Sequence, residues 1–112
     1  MSFKHHVAFK IQLREIPEVV VEHFLDLGYR LVESDTNRWV FHRGSKLAAL
    51  WRMDIRAYST ELRVRLKPLA DGKTRVSCDF EVWTFMTIIL GGDIATLEAE
   101  ARELESMLED SA

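Results

Sequence analysis

The sequence of 112 residues lacks the features of several common protein classes. Its single cysteine, Cys78, excludes an internal disulfide framework and a cysteine-rich zinc site, because both need several thiols. The longest uncharged apolar run, near residues 85–90, is far shorter than the ~20 residues that a membrane-spanning helix needs. The N-terminus does not have the basic and then apolar pattern of a secretory signal, so we expect a cytoplasmic protein.

Motifs for catalysis and for metal binding are also missing. The sequence contains no Gly-x-Ser-x-Gly elbow, no Walker-type phosphate loop and no Gly-x-Gly-x-x-Gly after a strand. None of the histidines, which are His5, His6, His23 and His42, belongs to a His-x-x-x-His pair. His5 and His6 are neighbours on a predicted strand and point to opposite faces, so they cannot bind one metal together. We therefore predict neither a metal site nor a cofactor.

Charge is unevenly distributed along the chain. The formal net charge is −3, whereas a nucleic-acid-binding domain is usually strongly basic, so we predict no nucleic-acid partner. Residues 93–112 hold seven acids and one base, a net of −6, which leaves a net of +3 for residues 1–92. An acidic C-terminal segment on a mildly basic body indicates that this segment packs against the body, with its acids on a solvated face.

The C-terminal segment has the apolar spacing of one amphipathic helix, which we predict over residues 93–112. Gly91-Gly92 interrupts the preceding pattern, and Asp93 is a good N-cap because its carboxylate can accept from the open amides of the first turn. The apolar residues recur at alternating intervals of three and four, which places them on one stripe. They are Ile94, Leu97, Ala101, Leu104 and Leu108, with Met107 beside them.

The residues before this helix predict six strands and one short helix. Strict alternation of apolar and polar residues predicts the first strand, over 3–13. Pro17 and Gly28 are typical of the first turn and of the residue after the last turn, so we predict a helix over 17–27. Its predicted apolar face consists of Val20, Val21, Phe24 and Leu25. The further strands are predicted over 29–34, 38–43, 47–53, 60–69 and 74–85.

The last two strands predict a hairpin with a specific register. If residues 71–73 form its tight turn, Leu66 lies opposite Cys78 on the inner face and Arg65 lies opposite Asp79 on the outer face. Apolar and charged sides then both match, and a slip by one residue would destroy both matches.

The order of elements, β-α-β-β-β-β-β-α, predicts an α+β fold in a single domain over residues 1–112. We expect a two-layer sandwich, with an antiparallel curved sheet of about six strands and both helices on one face. This order resembles the TBP-like architecture and the helix-grip architecture, which is shared by Bet v1-like and START-like domains. The resemblance covers nearly the whole chain as an order of elements, without a family motif. It implies a curved sheet that grips the helix at 93–110, in some members with a ligand cavity between them.

Two kinds of binding fit this sequence. The first is a small apolar ligand held between the sheet and the C-terminal helix, with candidate residues His5, Tyr58, Leu97 and Leu104. The second is self-association as a homodimer through an exposed apolar segment. Its candidate residues are Trp83, Phe85, Met86, Ile88 and Ile89. We predict a non-enzymatic binding or interaction module of one of these two kinds.

The alternative is an enzyme of the helix-grip type, a cyclase or hydrolase that acts on an apolar small molecule. His5 and Tyr58 are the polar groups that such a site would use. No carboxylate falls in an apolar segment that would raise its pKa, and Cys78 lies on the apolar face of a strand, where a thiol is inert. We therefore assign no catalytic residue.

The predicted outer face of the last two strands carries several basic side chains. They are Arg63, Arg65, Lys67 and Arg75. A basic sheet face resembles the surface of some proteins that bind single-stranded nucleic acid. Asp79 and Glu81 lie in the same patch, and together with the net negative charge they argue against that function.

Overall fold

Five antiparallel strands and two helices make up the described part of this computed structural model, which comprises residues 2–12, 16–45, 58–83 and 91–110. The elements are β1 Ser2–Ile11, α1 Ile16–Asp26, β2 Arg30–Ser34, β3 Arg38–Arg43, β4 Thr60–Pro68, β5 Thr74–Trp83 and α2 Gly91–Asp110. The strand order is β1-β5-β4-β3-β2, so the first and second strands form the two edges of the sheet. The predicted α+β fold is confirmed, while the strand predicted over 47–53 lies outside the described residues.

Alternation along the strands separates an inner face from an outer face. The inner side chains pack with both helices into one core and include Val7, Phe9, Phe41, Leu62, Val64, Val76, Phe80 and Val82. On α2, Leu97, Ala101, Leu104 and Leu108 are fully buried, as the predicted stripe requires. Complete burial of such a leucine contributes about 1.5–3 kcal/mol, so the stripe holds the helix on the sheet. Neither described helix is both long enough and apolar enough to cross a membrane.

Helix α1 lies where it was predicted, but its buried face differs from the predicted apolar face. Val20 and Phe24 are buried as predicted, but Leu25 is 46% exposed and His23 is buried. The reason is that α1 packs against α2 as well as the sheet, and the imidazole Nε2 of His23 lies 2.8 Å from the backbone carbonyl oxygen of Glu100. Because that polar group is satisfied by a hydrogen bond, histidine can occupy a position that the apolar pattern assigned to leucine.

The end of α1 is fixed by a left-handed glycine. Gly28 has φ +91°, and its amide donates to the carbonyl of Leu25 at 3.0 Å. The amide of Tyr29 donates to the carbonyl of Phe24, also at 3.0 Å, which completes a Schellman motif. The rings of Phe24 and Tyr29 pack edge to face with centroids 5.6 Å apart. This apolar contact directs the chain from α1 into β2.

The predicted register of the β4–β5 hairpin is wrong by two residues. Leu66 lies opposite Val76, and Arg65 lies opposite Ser77. The amide of Leu69 donates to the carbonyl of Lys73 at 2.8 Å, so the loop is residues 70–72 rather than 71–73. Gly72, with φ +83°, takes the left-handed third position that a three-residue hairpin loop requires.

The shift by two residues preserves the faces of both strands, because side chains alternate with a period of two. The contact between Arg65 and Asp79 also survives as a diagonal pair, with Nη2 2.9 Å from Oδ2. The pairing of faces was therefore predictable from the sequence, whereas the register depended on the position of one glycine in the loop.

We expect Leu104→Ala to lower the free energy of unfolding by about 2–5 kcal/mol, because the substitution leaves a cavity under α2. Met107→Ala, at an exposed position on the same helix, should change it by less than about 1 kcal/mol. Urea unfolding monitored by circular dichroism measures both values. Similar losses for the two variants would contradict the position of α2 on the sheet.

Candidate functional site

The residues predicted to bind a ligand are mostly parts of the core. Tyr58, Leu97 and Leu104 are buried among the side chains that join the sheet to the helices. A ligand could contact them only by displacing that packing. His5 differs, because it lies at the margin of the core with a side chain that is 21% exposed.

The space around His5 combines apolar side chains with polar atoms that have no hydrogen-bond partner. The imidazole Nε2 lies 3.7 Å from Oε1 of Glu98 on α2, which is too long for a hydrogen bond. Neither this Nε2 nor Oε2 of Glu98 makes a hydrogen bond to any described residue, although both atoms are buried. Oε2 also lies 3.3 Å from Nε of Arg102, in an ion pair without hydrogen-bond geometry.

The apolar stripe of α2 becomes accessible at this end of the helix. Ile94, one turn before Glu98, is 37% exposed, whereas the rest of the stripe is fully buried. The inward-facing ring of Phe80 lies beside the His5 ring, with centroids 6.4 Å apart. Apolar walls with a few polar groups are the usual composition of a small-molecule site. We call the region formed by His5, Phe80, Ile94 and Glu98 the β1–α2 margin.

Most of the predicted dimer segment lies outside the described residues. Trp83 ends β5 on the outer side of the sheet, where it is half-buried and its amide donates to the carbonyl of Ser59 at 2.9 Å. Phe85, Met86, Ile88 and Ile89 belong to the undescribed range 84–90. The homodimer therefore stays a prediction.

A buried ion pair that the sequence reading missed connects α2 to the sheet. The Arg43 guanidinium donates from Nη1 to Oε2 of Glu100 at 2.7 Å and from Nη2 to Oε1 at 3.1 Å. The two side chains are only 6% and 5% exposed. The hydroxyl of Tyr29 donates to Oε1 of the same carboxylate at 3.1 Å, and its ring lies 4.0 Å from the guanidinium carbon. We call Arg43, Glu100 and Tyr29, together with the His23 contact, the buried polar cluster.

The buried polar cluster joins four elements of the fold. Arg43 ends β3, Tyr29 precedes β2, and Glu100 lies in the middle of α2. Arg43 also donates from Nη1 to the carbonyl of Leu27 at the end of α1, at 3.1 Å. A cleft of about 600 Å³ lies beside the cluster, lined by residues of α2, Asp26 and Leu27.

The sequence did contain a signal for this pair. Glu100 follows Leu97 by three residues and precedes Leu104 by four, so its spacing places it on the buried stripe. Its charge, in contrast, predicts a position on the solvated face. Arg43 continues the alternation of Trp39 and Phe41 on the inner face of β3. Burial, and then the neighbouring Glu100 carboxylate, raise the pKa of Tyr29 far above its ordinary value. Tyr29 therefore remains a neutral donor, and the cluster acts as a structural connection.

The outer face of the sheet is polar and holds the second candidate surface. A cleft of about 610 Å³ spans all five strands there, with Val40 on its floor and charged side chains around it. His6 and Arg65 both bond to the Asp79 carboxylate. Burial raises the pKa of Asp79, but the hydrogen bonds from His6 and Arg65 outweigh it and hold this pKa below its ordinary value. Asp79 is therefore ionised at neutral pH.

Reactive groups are scarce in the described part of the chain. Cys78 is fully buried, and burial raises the pKa of its thiol to about 12, so the nucleophilic thiolate is almost absent at neutral pH. In the four described ranges no group of three His, Cys, Asp or Glu side chains is placed to hold a metal ion.

Comparison with known proteins supports the fold and leaves the function open. No protein-family model matches the sequence, and no curated protein matches it. Among solved structures, the crystal structure of Ara h 8.0201, a Bet v1-like protein, is similar to this chain with a TM-score of 0.62. The match covers 99% of this chain and 97% of that chain at 7% sequence identity. At this identity the likeness shows the fold alone, which is the Bet v1-like form of the helix-grip architecture.

Breaking the buried ion pair should be strongly destabilising. We expect Arg43→Met or Glu100→Leu alone to lower the free energy of unfolding by about 3–5 kcal/mol, because each leaves a buried charge without its partner. The double variant should be much more stable than the sum of the two losses predicts. Arg102→Met, which removes the exposed ion pairs of α2, should cost less than about 1 kcal/mol. Urea unfolding of the wild type, the two single variants and the double variant tests this cycle, with Arg102→Met as the control. Strictly additive losses would contradict the coupling of Arg43 and Glu100.

The thiol of Cys78 should be unreactive in the folded protein. At pH 8 we expect an aromatic disulfide reagent to label it only as fast as the protein unfolds, because the thiol is buried and protonated. Protein unfolded in urea should react at once, and Cys78→Ser should not react at all. Rapid stoichiometric labelling of the folded protein, measured by absorbance, would contradict the position of Cys78 in the core.

Proposed function

We propose that this protein is a non-enzymatic binding module that holds a small, largely apolar ligand at the β1–α2 margin. The proposal rests on two buried polar atoms, Nε2 of His5 and Oε2 of Glu98, which have no hydrogen bond to a described residue. Ile94, one turn before Glu98 on α2, is partly exposed. A buried polar atom without a hydrogen bond costs about 1–3 kcal/mol, so a ligand that supplies the bond gains affinity from it.

The chemistry of this margin indicates the kind of polar group that the ligand carries. A carboxylate accepts hydrogen bonds, and an imidazole nitrogen donates or accepts according to its tautomer. A hydroxyl placed between Glu98 and His5 could donate to the first and bond to the second. The partly exposed side chain of Ile94 favours an apolar body. We therefore infer a ligand of moderate size with an apolar skeleton and a hydroxyl group.

Binding explains this geometry better than catalysis does. A general base needs a partner that orients it, and the distance of 3.7 Å between His5 and Glu98 exceeds that of a hydrogen bond. The thiol of Cys78 is buried and protonated, so it offers no nucleophile. The Bet v1-like fold supports the same conclusion, because in some helix-grip proteins a ligand lies between the sheet and the terminal helix.

The two adjacent histidines of β1 provide a matched test. Naphthol and naphthalene share an apolar skeleton, and their fluorescence changes when water is excluded. We expect the protein to bind naphthol about tenfold more tightly than naphthalene, which corresponds to about one hydrogen bond. His5→Ala should remove this difference, whereas His6→Ala, on the outer face of the same strand, should leave it unchanged.

Fluorescence titration measures all of these affinities. Equal binding of naphthol by the wild type and by His5→Ala would sink the proposal, and so would the absence of saturable binding of both probes. Native mass spectrometry adds an independent readout: a co-purifying small mass on the monomer favours a ligand. A clean dimer without added mass would instead favour the predicted self-association through Trp83 and its neighbours.

A further inference from the structure

Like charges face one another at one end of the outer sheet face. The register places Lys10 opposite Arg75, and Arg75 opposite Lys67 on the next strand. One row further along, Arg65 lies opposite Arg38. Like charges directly opposite in a sheet are destabilising, so neither strand pairing nor folding explains their accumulation there. We call these five side chains the basic end.

Most of the basic end has no counter-ion in the described part of the chain. Arg65 pairs with Asp79, Nη2 to Oδ2 at 2.9 Å, and that carboxylate is shared with His6. The other four cations form no ion pair with a described residue. No described acidic side chain relieves their repulsion, and a bound anion would do so.

The opposite end of the same face is arranged differently. There Glu81 lies opposite both Lys4 and Glu61, and Glu61 pairs with Arg63, Oε2 to Nη2 at 3.1 Å. Charges of both signs thus meet at that end, whereas cations face cations at the other. Since the whole chain carries a formal net charge of −3, the basic end is a local feature and not a result of general basicity.

The spacing of these cations suits an anion that carries several charges close together. Adjacent strands lie about 4.8 Å apart, and same-face neighbours along a strand about 6.8 Å apart. A short chain of phosphates can therefore contact several of the cations at once, and a guanidinium can bind a phosphate through two hydrogen bonds. Arg38 and Arg65 also line the outer cleft of about 610 Å³, which leaves room beside them for the rest of a molecule.

We propose that the basic end binds a small molecule that carries two or more phosphate groups. A single-stranded nucleic acid fits less well, because its bases need aromatic side chains on which to stack and the basic end has none. Trp83 lies opposite Ser2 at the other end of the face. An anionic membrane also fits less well, because Glu61 and Glu81 on the same face would be repelled by it.

Calorimetric titration with inorganic phosphate, pyrophosphate and tripolyphosphate at low ionic strength tests the proposal. We expect affinity to rise along this series and to fall when salt is added. Lys10→Gln and Arg75→Gln should each weaken tripolyphosphate binding about fivefold, which is the effect of one charge near the anion. Lys4→Gln is the matched control, because Lys4 is exposed on the same face of the same strand but belongs to the other end.

Thermal unfolding of the same variants separates binding from folding. Without ligand, Lys10→Gln and Arg75→Gln should unfold at the wild-type temperature or above it, because each removes a like-charge contact. Equal weakening by Lys4→Gln and Lys10→Gln would overturn the proposal, as would tripolyphosphate that binds no better than phosphate. Tighter binding of an oligothymidylate than of tripolyphosphate would overturn it in favour of a nucleic acid.

Discussion

The ion pair between Arg43 and Glu100 is the interaction on which the arrangement of the two layers depends. Removing two charges from water is costly, and the cost is offset only when both groups are fully hydrogen-bonded at short distance. The Tyr29 hydroxyl and the Leu27 carbonyl add two further hydrogen bonds, and Nε of Arg43 is the one guanidinium nitrogen without a hydrogen bond to a described residue. A shift of α2 by one residue would carry Glu100 away from Arg43 and leave two unpaired charges in the core. Apolar side chains alone would tolerate such a shift better, so the pair gives the helix one favoured position along the sheet.

That fixed position divides α2 into two parts with different properties. From Leu97 to Leu108 the helix buries its stripe completely, and the side chains leave no space for another molecule. Toward its beginning, Ile94 is partly exposed, and Glu98 contacts His5 at 3.7 Å without a hydrogen bond. A helix held at its centre by the ion pair keeps its packing further along, whatever binds at this margin. The connection to the core is thus a condition for the proposed ligand site, although none of its side chains contacts the ligand.

The fold was predictable from sequence wherever a single periodic pattern decided the outcome. All five described strands lie within two residues of their predicted bounds, the inner faces predicted for β1, β4 and β5 are the buried ones, and the three-four spacing found α2. The failures arose where the deciding partner lay far along the chain. Glu100 occupied a stripe position, but only its contact with Arg43, from a distant strand, made burial possible. His23 was likewise buried by a hydrogen bond to α2, and the hairpin register depended on which loop position Gly72 occupied. Of the proposed site, His5 was predictable, whereas its neighbour Glu98 was not.

The pairing of β1 with β5 has a consequence for how the protein is made. Among the described strands, β1 pairs with β5 alone, with Ile11 opposite Thr74 and Ser2 opposite Trp83. Contacts between residues so far apart in sequence slow folding, because a long loop must close before any of them forms. During synthesis the alternating apolar face of β1 therefore leaves the ribosome well before its partner strand exists. The emergence of β5, rather than that of the N-terminal strand, sets the moment at which this sheet can close.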